Sequence, residues 1–106
     1  MDERAPGAGV VVYGTAYCPY CVRARALLAA KGVAFRDILV EHEPELRVEM
    51  ERLSGRRTVP QIFIDGRHIG GCDDLMALEM TSELDPLLHA AAAIDPVNRA
   101  TGTERQ

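Results

Sequence analysis

The sequence lacks three features that would assign it to large classes of protein: a long hydrophobic run, an excess of basic charge and a rich supply of cysteine. No stretch approaches the roughly eighteen apolar residues that span a bilayer, and no basic segment precedes an apolar one near the N-terminus. Its 12 Lys and Arg residues are dispersed among 16 Asp and Glu residues, so no basic stripe is available for nucleic acid. We therefore expect a cytoplasmic protein, a monomer, whose partners are small molecules or proteins rather than nucleic acid or membrane.

The scarcity of cysteine restricts what the three thiols can do. A secreted disulfide scaffold of this size would carry more cysteines, usually in an even number. A zinc site built on Cys18 and Cys21 would need a second pair of ligands. Cys72 is the only other cysteine, and the three histidines are too widely spaced to form the usual His pair. No metal is therefore expected, although zinc and a structural disulfide remain as alternatives to a reactive dithiol.

The chain is long enough for one modest hydrophobic core. It has 106 residues, of which 47% are hydrophobic, which is too short for two ordinary domains. Residues 1–9 contain proline and glycine without periodicity, and residues 93–106 have little apolar surface. We expect a flexible leader over 1–9, a single domain over 10–92 and a flexible tail over 93–106.

Hydrophobic patterning and turn residues predict eight elements in the order β-α-β-α-β-β-α-α. A strand, a helix and a second strand in succession favour a right-handed parallel βαβ unit. Asp65-Gly66 predicts a two-residue hairpin turn between two later strands, and Gly32 and Gly55 predict helix ends. The predicted strands are 10–13, 35–40, 61–64 and 67–69, and the predicted helices are 19–31, 43–53, 73–80 and 84–92.

The motif Cys18-Pro19-Tyr20-Cys21 lies where the first strand passes into the first helix. A thiol at a helix N-terminus faces unpaired backbone N–H groups and the positive end of the helix dipole, and both favour the thiolate. Cys18 is therefore the predicted nucleophile. Cys21, one turn further into the helix, is close enough to attack a mixed disulfide on Cys18, which makes it the predicted resolving thiol. Tyr20 and the nearby Tyr17 are placed at the rim of this site, with plain packing as the alternative.

Two further motifs accompany the dithiol: Thr58-Val59-Pro60, and Gly-Gly-Cys-Asp-Asp-Leu over residues 70–75. Together with the element order they resemble the glutaredoxins, in particular the short bacterial dithiol members, over about residues 10–89. Thioredoxins usually carry Gly-Pro between the cysteines and a tryptophan before them, and this sequence has no tryptophan. The resemblance implies a thioredoxin-like α/β fold with a four-stranded mixed sheet in the order 2-1-3-4, flanked by helices, and a cis bond before Pro60.

The resemblance also implies a glutathione site beside the dithiol. Thr58 and Val59 would flank the cysteinyl part of glutathione. Backbone N–H groups at a helix N-terminus would receive its γ-glutamyl carboxylate, with simple helix capping as the alternative for the aspartates there. Arg57 would bind the glycyl carboxylate, with Arg56 as a substitute and solvent exposure of either arginine as the alternative. The implied residues are Tyr20, Arg57, Thr58, Val59, Pro60, Cys72, Asp73 and Asp74.

Thr15 is a departure from the family pattern, because glutaredoxins commonly carry Lys three residues before the first cysteine. Arg23 or Arg57 would have to supply the missing cation, although Arg23 is better interpreted as an exposed residue of the first helix. Cys72 precedes two acidic residues, which should keep its thiol protonated. We interpret Cys72 as a small packed residue, with a regulatory thiol as the alternative.

These features predict a glutathione-dependent thiol-disulfide oxidoreductase with no bound cofactor and with glutathione as its co-substrate. Its substrates would be protein-glutathione mixed disulfides and protein disulfides. An alternative is a carrier in which Cys18 from two subunits and two glutathione thiols hold a 2Fe-2S cluster; Pro19 argues against that arrangement. A subunit that reduces one dedicated enzyme would share the chemistry and could not be separated by sequence.

Overall fold

A computed structural model describes residues 9–94, and their side chains as far as Ala91. It contains eight elements in the predicted order. The strands are β1 (Val10–Gly14), β2 (Phe35–Leu39), β3 (Gln61–Ile64) and β4 (Arg67–Gly70), and the helices are α1 (Pro19–Ala30), α2 (Pro44–Ser54), α3 (Cys72–Met80) and α4 (Leu84–Ile94).

The four strands form one mixed sheet in the order β2-β1-β3-β4. β1 pairs in parallel with β2 and antiparallel with β3, and β3 pairs antiparallel with β4. The turn between β3 and β4 is Asp65-Gly66, with φ values of 55° and 81°, and two positive values are what a type I′ hairpin turn requires. This topology confirms the predicted thioredoxin-like sheet and places the end of β1 beside the start of α1.

β1 is apolar throughout because helices cover the sheet on both faces. Val10 and Val12 face a large core formed with α1, α3 and α4. Val11 and Tyr13 face a smaller core formed with α2, which contributes the buried Met50. β1 is therefore buried along its whole length, and the chain returns to the surface in the loop that follows it, which leads to Cys18.

The starts of α1 and α4 and the end of α3 are as predicted, and the other helix bounds differ from the predicted ones by one or two residues. α2 stops at Ser54 and is followed by Gly55 in the left-handed conformation, with φ 75°. α3 begins at Cys72, one residue earlier than predicted, because the Asp74 carboxylate accepts the N–H of Gly71 and caps the helix there. α4 continues to Ile94, two residues past its predicted end, through a run of alanines that favours helix.

Of the predicted leader over 1–9 and the predicted tail over 93–106, residues 1–8 and 95–106 lie outside the described residues, so the domain limits stay predictions. Residues 93 and 94 belong to α4. Within residues 9–94, every helix is too short or too polar to cross a membrane.

Candidate functional site

Cys18 stands immediately before α1, at its N-cap position, and Pro19 is the first residue of the helix. Pro19 suits this position because the N–H it lacks would have had no partner within the helix. The backbone N–H of Cys18 donates to Thr15 Oγ1 at 3.3 Å, which fixes the entry of the chain into α1. The thiol of Cys18 is half-buried, whereas Cys21 is fully buried, and both are free cysteines. Cys18 is therefore the thiol of the pair that a substrate can reach.

The pKa of Cys18 is lowered, although burial, the largest single influence, acts to raise it. The backbone N–H groups of Cys21 and Tyr20, the Cys21 thiol and the guanidinium of Arg25 all favour the thiolate, and together they outweigh burial. The direction of the shift is the one expected for a thiol aimed at by helix N-terminal amides. Such a thiol is ionised to a larger extent at neutral pH than a free cysteine.

Cys21 has the opposite electrostatic character. Burial is the main influence and raises the pKa of its thiol, and the neighbouring Cys18 raises it further. The backbone N–H of Thr15, whose nitrogen lies 3.5 Å from Cys21 Sγ, and the charge of Arg25 offset this in part. While Cys18 is a thiolate, Cys21 therefore keeps its proton and can donate it as a hydrogen bond to Cys18.

Gly14 provides the space that Cys21 occupies. A Cβ atom at this position would lie 2.8 Å from Cys21 Sγ and 3.3 Å from Arg25 Nη2. The first distance is shorter than real carbon–sulfur contacts allow, so a side chain at position 14 would force the thiol to move. The last residue of β1 therefore has to be glycine for Cys21 to pack where it does.

Arg25 is the cation beside the dithiol, and sequence reasoning missed it. Its Nη2 donates to the carbonyl oxygen of Thr15 at 2.8 Å, and its Nε lies 3.0 Å from the carboxylate of Asp37 on β2. Only 18% of its side chain is exposed. The signal available in the sequence was the spacing of four residues between Cys21 and Arg25, which puts the two side chains on one face of α1.

Arg23, one of the two cations considered from sequence, takes a different position. It is exposed on α1, and its guanidinium carbon lies 5.8 Å from the centre of the Tyr20 ring. Tyr20 itself is 53% exposed and Tyr17 is 76% exposed. Arg23 therefore packs against an exposed tyrosine ring on the surface, and the cation that acts on Cys18 and Cys21 is Arg25. A rim role for the two tyrosines stays a prediction.

The segment Thr58-Val59-Pro60 lies opposite Cys18. The bond between Val59 and Pro60 is cis, as the family resemblance implied. The carbonyl oxygen of Val59 lies 4.0 Å from Cys18 Sγ. The polypeptide backbone just before Pro60 therefore forms one side of the space in front of the half-buried thiol.

A fully buried glutamine holds this segment from behind. Gln61 Nε2 donates to the carbonyl oxygen of Thr58 at 3.0 Å and to its Oγ1 at 3.2 Å. Gln61 Oε1 lies 2.7 Å from Nε2 of His68 on β4. Because an amide oxygen only accepts, His68 carries a proton on Nε2. The position of Thr58 is thus linked through the interior to the neighbouring strand.

The N-terminus of α3 forms one side of a cleft of about 280 Å³. Cys18 does not line this cleft itself, but Val59, whose carbonyl oxygen lies 4.0 Å from Cys18 Sγ, does. The carboxylate of Asp74 accepts the N–H of Gly71 at 2.9 Å and pairs with Arg56 Nη1 at 3.1 Å. The N–H of Gly71, and after it Arg56, hold the pKa of Asp74 below its usual value, although burial opposes them. The residues that line the cleft are Tyr20, Arg56, Thr58, Val59, Pro60, Gly71, Cys72, Asp73 and Asp74.

Seven of the eight residues implied as glutathione ligands line this cleft, and the exception is Arg57. Its guanidinium is 86% exposed and lies 3.9 Å from the carboxylate of Glu51 on α2. Arg56, the substitute considered from sequence, lines the cleft instead through its ion pair with Asp74. The ligand roles themselves stay predictions.

Cys72 is a small packed residue in the core that α3 shares with β1 and α1. The pKa of its thiol is raised, as expected from sequence, but the main cause is burial rather than the acidic neighbours. Asp73 and Cys18 raise it further, and Arg23 acts in the opposite direction. Among the described residues, no group of three or more His, Cys, Asp and Glu side chains could hold a metal ion.

Comparison with known proteins identifies the family. The family model described as Glutaredoxin matches residues 10–69, more than half of the chain. The chain belongs to the glutaredoxin family. It is 57% identical over 81 residues to a glutaredoxin of Pseudomonas aeruginosa, covering 76% of this chain and 96% of that protein. It is 56% identical over 81 residues to glutaredoxin 3 of Escherichia coli K12, covering 76% of this chain and 98% of that protein.

Solved structures of glutaredoxins share the fold. A crystal structure of a buckwheat glutaredoxin-glutathione complex superimposes with a TM-score of 0.76 at 34% identity, covering 83% of each chain. In general terms the protein is therefore a glutathione-dependent thiol oxidoreductase, as its membership of the glutaredoxin family establishes.

Proposed function

We propose that the protein reduces protein-glutathione mixed disulfides through Cys18, and protein disulfides through Cys18 together with Cys21. The observation that carries the proposal is the half-buried Cys18 thiol, whose pKa is lowered by helix N-terminal amides. Its sulfur lies 4.0 Å from the carbonyl oxygen of Val59, a residue that lines the cleft beside α3. In thiol-disulfide exchange the thiolate is the attacking species, and it reacts fastest where a substrate can reach it.

The first half-reaction begins with the Cys18 thiolate. It attacks the glutathione sulfur of a mixed disulfide, so that a bond forms between Cys18 and glutathione while the bond to the substrate protein breaks. The substrate leaves as a thiolate and takes a proton from solvent. A second glutathione thiolate then attacks the glutathione sulfur on Cys18, which releases glutathione disulfide and restores the Cys18 thiolate.

With a protein disulfide, the same attack leaves the substrate joined to Cys18. Cys21, three residues further on and one turn into α1, then attacks Cys18 Sγ. The bond between Cys18 and Cys21 forms as the bond to the substrate breaks, and the substrate departs with both of its thiols reduced. Two molecules of glutathione then reduce the disulfide between Cys18 and Cys21.

Three features of the cleft support glutathione as the molecule bound there. The backbone of Val59 faces Cys18 and offers an extended peptide a strand-like partner. The N–H groups at the start of α3 form an anion site suited to the γ-glutamyl carboxylate, with Asp73 and Asp74 as acceptors for its ammonium group. The buckwheat relative has been crystallised as a glutathione complex.

For the glycyl carboxylate, the positions of the two adjacent arginines favour Arg56 over Arg57. Arg56 lines the cleft, whereas Arg57 lies against Glu51. The exposed Arg57 side chain would have to rotate away from Glu51 to reach the glycyl carboxylate of glutathione in the cleft. We therefore include Arg56 among the proposed glutathione ligands and keep Arg57 as a second, more distant cation.

The experiment that tests the function compares two cysteine variants in a coupled glutathione assay. We expect Cys18→Ser to abolish reduction of a glutathionylated peptide, because it removes the attacking sulfur. Cys21→Ser should retain that activity and lose reduction of protein disulfides. Equal loss of deglutathionylation in both variants would contradict the assignment of roles.

A second assay tests the electron donor and the cluster-carrier alternative. Turnover should depend on glutathione, and dependence on a thioredoxin reductase system alone would contradict the proposal. The cluster carrier remains an untested prediction; visible absorbance after anaerobic reconstitution, together with a dimer on gel filtration, would support it. A cytoplasmic location also stays a prediction.

A further inference from the structure

Cys21 is buried, but a backbone N–H group and an arginine side chain lie close to its sulfur. Its sulfur is fully buried, yet the backbone N–H of Thr15 points at it, with nitrogen and sulfur 3.5 Å apart. The carbonyl oxygen of the same residue accepts from Arg25 Nη2 at 2.8 Å. Both Cys21 Sγ and Arg25 Nη2 lie against Gly14, which has no side chain to separate them. A largely buried cation and an amide donor therefore converge on the thiol that is not the nucleophile.

The resolving step requires Cys21 to ionise, and the charge state of Cys18 affects how easily it does so. Cys21 must lose its proton before it can attack a mixed disulfide, because the thiolate is the attacking species. In the reduced protein the negative charge of Cys18 opposes that ionisation. Once Cys18 is bonded to a partner its charge is gone. The charged or polar groups that then favour the Cys21 thiolate are the Thr15 N–H and Arg25.

We propose that Arg25 is a positioning residue for the resolving step: it holds Thr15 against Cys21 and places a positive charge beside that thiol, so that Cys21 ionises once Cys18 has been captured in a mixed disulfide. The inference rests on the proposed roles of the two cysteines. In the step itself, the Cys21 thiolate attacks Cys18 Sγ, the Cys18–Cys21 bond forms, and the bond from Cys18 to its partner breaks. The partner leaves as a thiolate and is protonated by solvent, while the Cys21 proton has passed to solvent beforehand.

Two acidic groups of this region bear on the pH dependence. Asp37 on β2 lies 3.0 Å from Arg25 Nε and offsets part of its charge. Glu41, which follows β2, accepts the N–H of Ala16 at 2.7 Å and adds negative charge to the same loop. An electrostatic role for Arg25 therefore predicts opposite effects for its own removal and for neutralisation of Asp37. A purely structural role predicts that both changes impair the step, because both disrupt the same ion pair.

The experiment mixes the reduced protein with excess glutathione disulfide, quenches with acid at millisecond intervals, and follows the Cys18–glutathione adduct by mass spectrometry. Adduct formation reports attack by Cys18, and its decay to the Cys18–Cys21 disulfide reports resolution by Cys21. For Arg25→Gln we expect decay to slow roughly three- to tenfold at pH 7, the change that one partly screened charge gives. Formation should change by no more than about twofold, because Arg25 is the smallest of the named influences that favour the Cys18 thiolate, after the N–H groups of Cys21 and Tyr20 and the Cys21 thiol. The pH midpoint of the decay should rise, and the two proteins should converge in alkaline solution.

Arg25→Lys keeps the charge and should restore decay to within about twofold of the original protein. Asp37→Asn should leave decay as fast or make it faster at pH 7. Slower decay in Asp37→Asn, an equal slowing of formation and decay in Arg25→Gln, or an unshifted pH midpoint would each overturn the inference. Far-UV circular dichroism checks that each variant is folded. If Arg25→Gln does not fold, Arg25→Lys and Asp37→Asn still show whether positive charge beside Cys21 speeds the decay of the adduct.

The outcome also separates this inference from the function on which it rests. If the original protein forms no adduct on Cys18, the proposed function fails and the inference falls with it. If the adduct forms and resolves normally, but Arg25→Gln leaves the pH profile of resolution unchanged, only the inference fails.

Discussion

The carboxylate of Asp74 offers a quantitative test of how the cleft is built. Asp74→Ala removes the acceptor for the Gly71 N–H, which lies 2.9 Å away. Gly71 is the N-cap of α3 and Asp74 the third residue of the helix, so the bond lost is the one by which a capping box satisfies the N-cap N–H. A hydrogen bond of this kind contributes about 0.5–1.5 kcal/mol. The variant also removes the ion pair with Arg56, whose two side chains are 47% and 45% exposed, and exposed pairs contribute only about 0.2–1 kcal/mol. We therefore expect a loss of about 1–2 kcal/mol in the free energy of unfolding, most of it from the cap.

The same contacts predict how this loss depends on pH. The Gly71 N–H and Arg56 lower the pKa of Asp74 in the folded protein relative to about 3.9 for an unfolded aspartate. The stabilisation is therefore fully present above about pH 4 and is lost as the pH falls through the folded-state pKa. Between pH 7 and pH 5 the difference between Asp74→Ala and the original protein should be constant, and it should shrink toward pH 3.

Urea unfolding followed by far-UV circular dichroism at pH 7, 5, 4 and 3 would measure both effects. Arg56→Ala is the matched control, because it removes only the ion pair and should cost less than about 1 kcal/mol. Gly70→Ala should cost more than Arg56→Ala, because Gly70 has a φ of 122° and a methyl group there would overlap the Asp74 carboxylate. A difference that persists unchanged to pH 3, or an Asp74→Ala cost no larger than that of Arg56→Ala, would refute the reasoning.

Two further predictions concern the supports behind the thiols. Gly14→Ala should destabilise the protein by about 1–3 kcal/mol through overpacking, because its methyl group would lie 2.8 Å from Cys21 Sγ; urea unfolding measures this, and unchanged stability would contradict it. Gln61→Leu leaves both Thr58 acceptors and His68 Nε2 without their buried partner and should cost about 1–3 kcal/mol. It should raise KM for a glutathionylated peptide more than it lowers kcat, whereas equal changes in both would indicate a general loss of structure.

Most of the fold could be predicted because its signals are local. The apolar run of β1, the Asp65-Gly66 turn and the glycines after α1 and α2 each specify an element or its end by themselves. The start of α3 predicted from sequence is one residue too late, because the cap depends on which way the Asp74 carboxylate turns. That orientation is set jointly by the Gly71 N–H and by Arg56, and Arg56 lies on a loop 18 residues away.

The cations of the site could not be assigned from sequence for a different reason. Arg23 and Arg25 are two residues apart on α1, and the rotation of about 100° per residue sends their side chains to different sides of the helix. Only the sheet register shows which one is held: β1 pairs in parallel with β2, Val12 lies opposite Asp37, and Asp37 binds Arg25. The role of Arg56 could not be assigned from sequence either, because its partner Asp74 is brought to it by the packing of α3 beside β3.

The opposite pKa shifts of the two thiols follow from their positions, three residues apart, at the start of α1. Cys18 is outside the first turn, where the N–H groups of Tyr20 and Cys21 have no acceptor within the helix and point at its sulfur. Cys21 is inside that turn, so its side chain is directed toward the sheet and buried against Gly14. Helix start and helix interior thus impose opposite pKa shifts on neighbouring thiols. The negative charge of Cys18 helps to keep Cys21 protonated. When a substrate bonds to Cys18 that charge is lost, so Cys21 can ionise more easily and release the substrate.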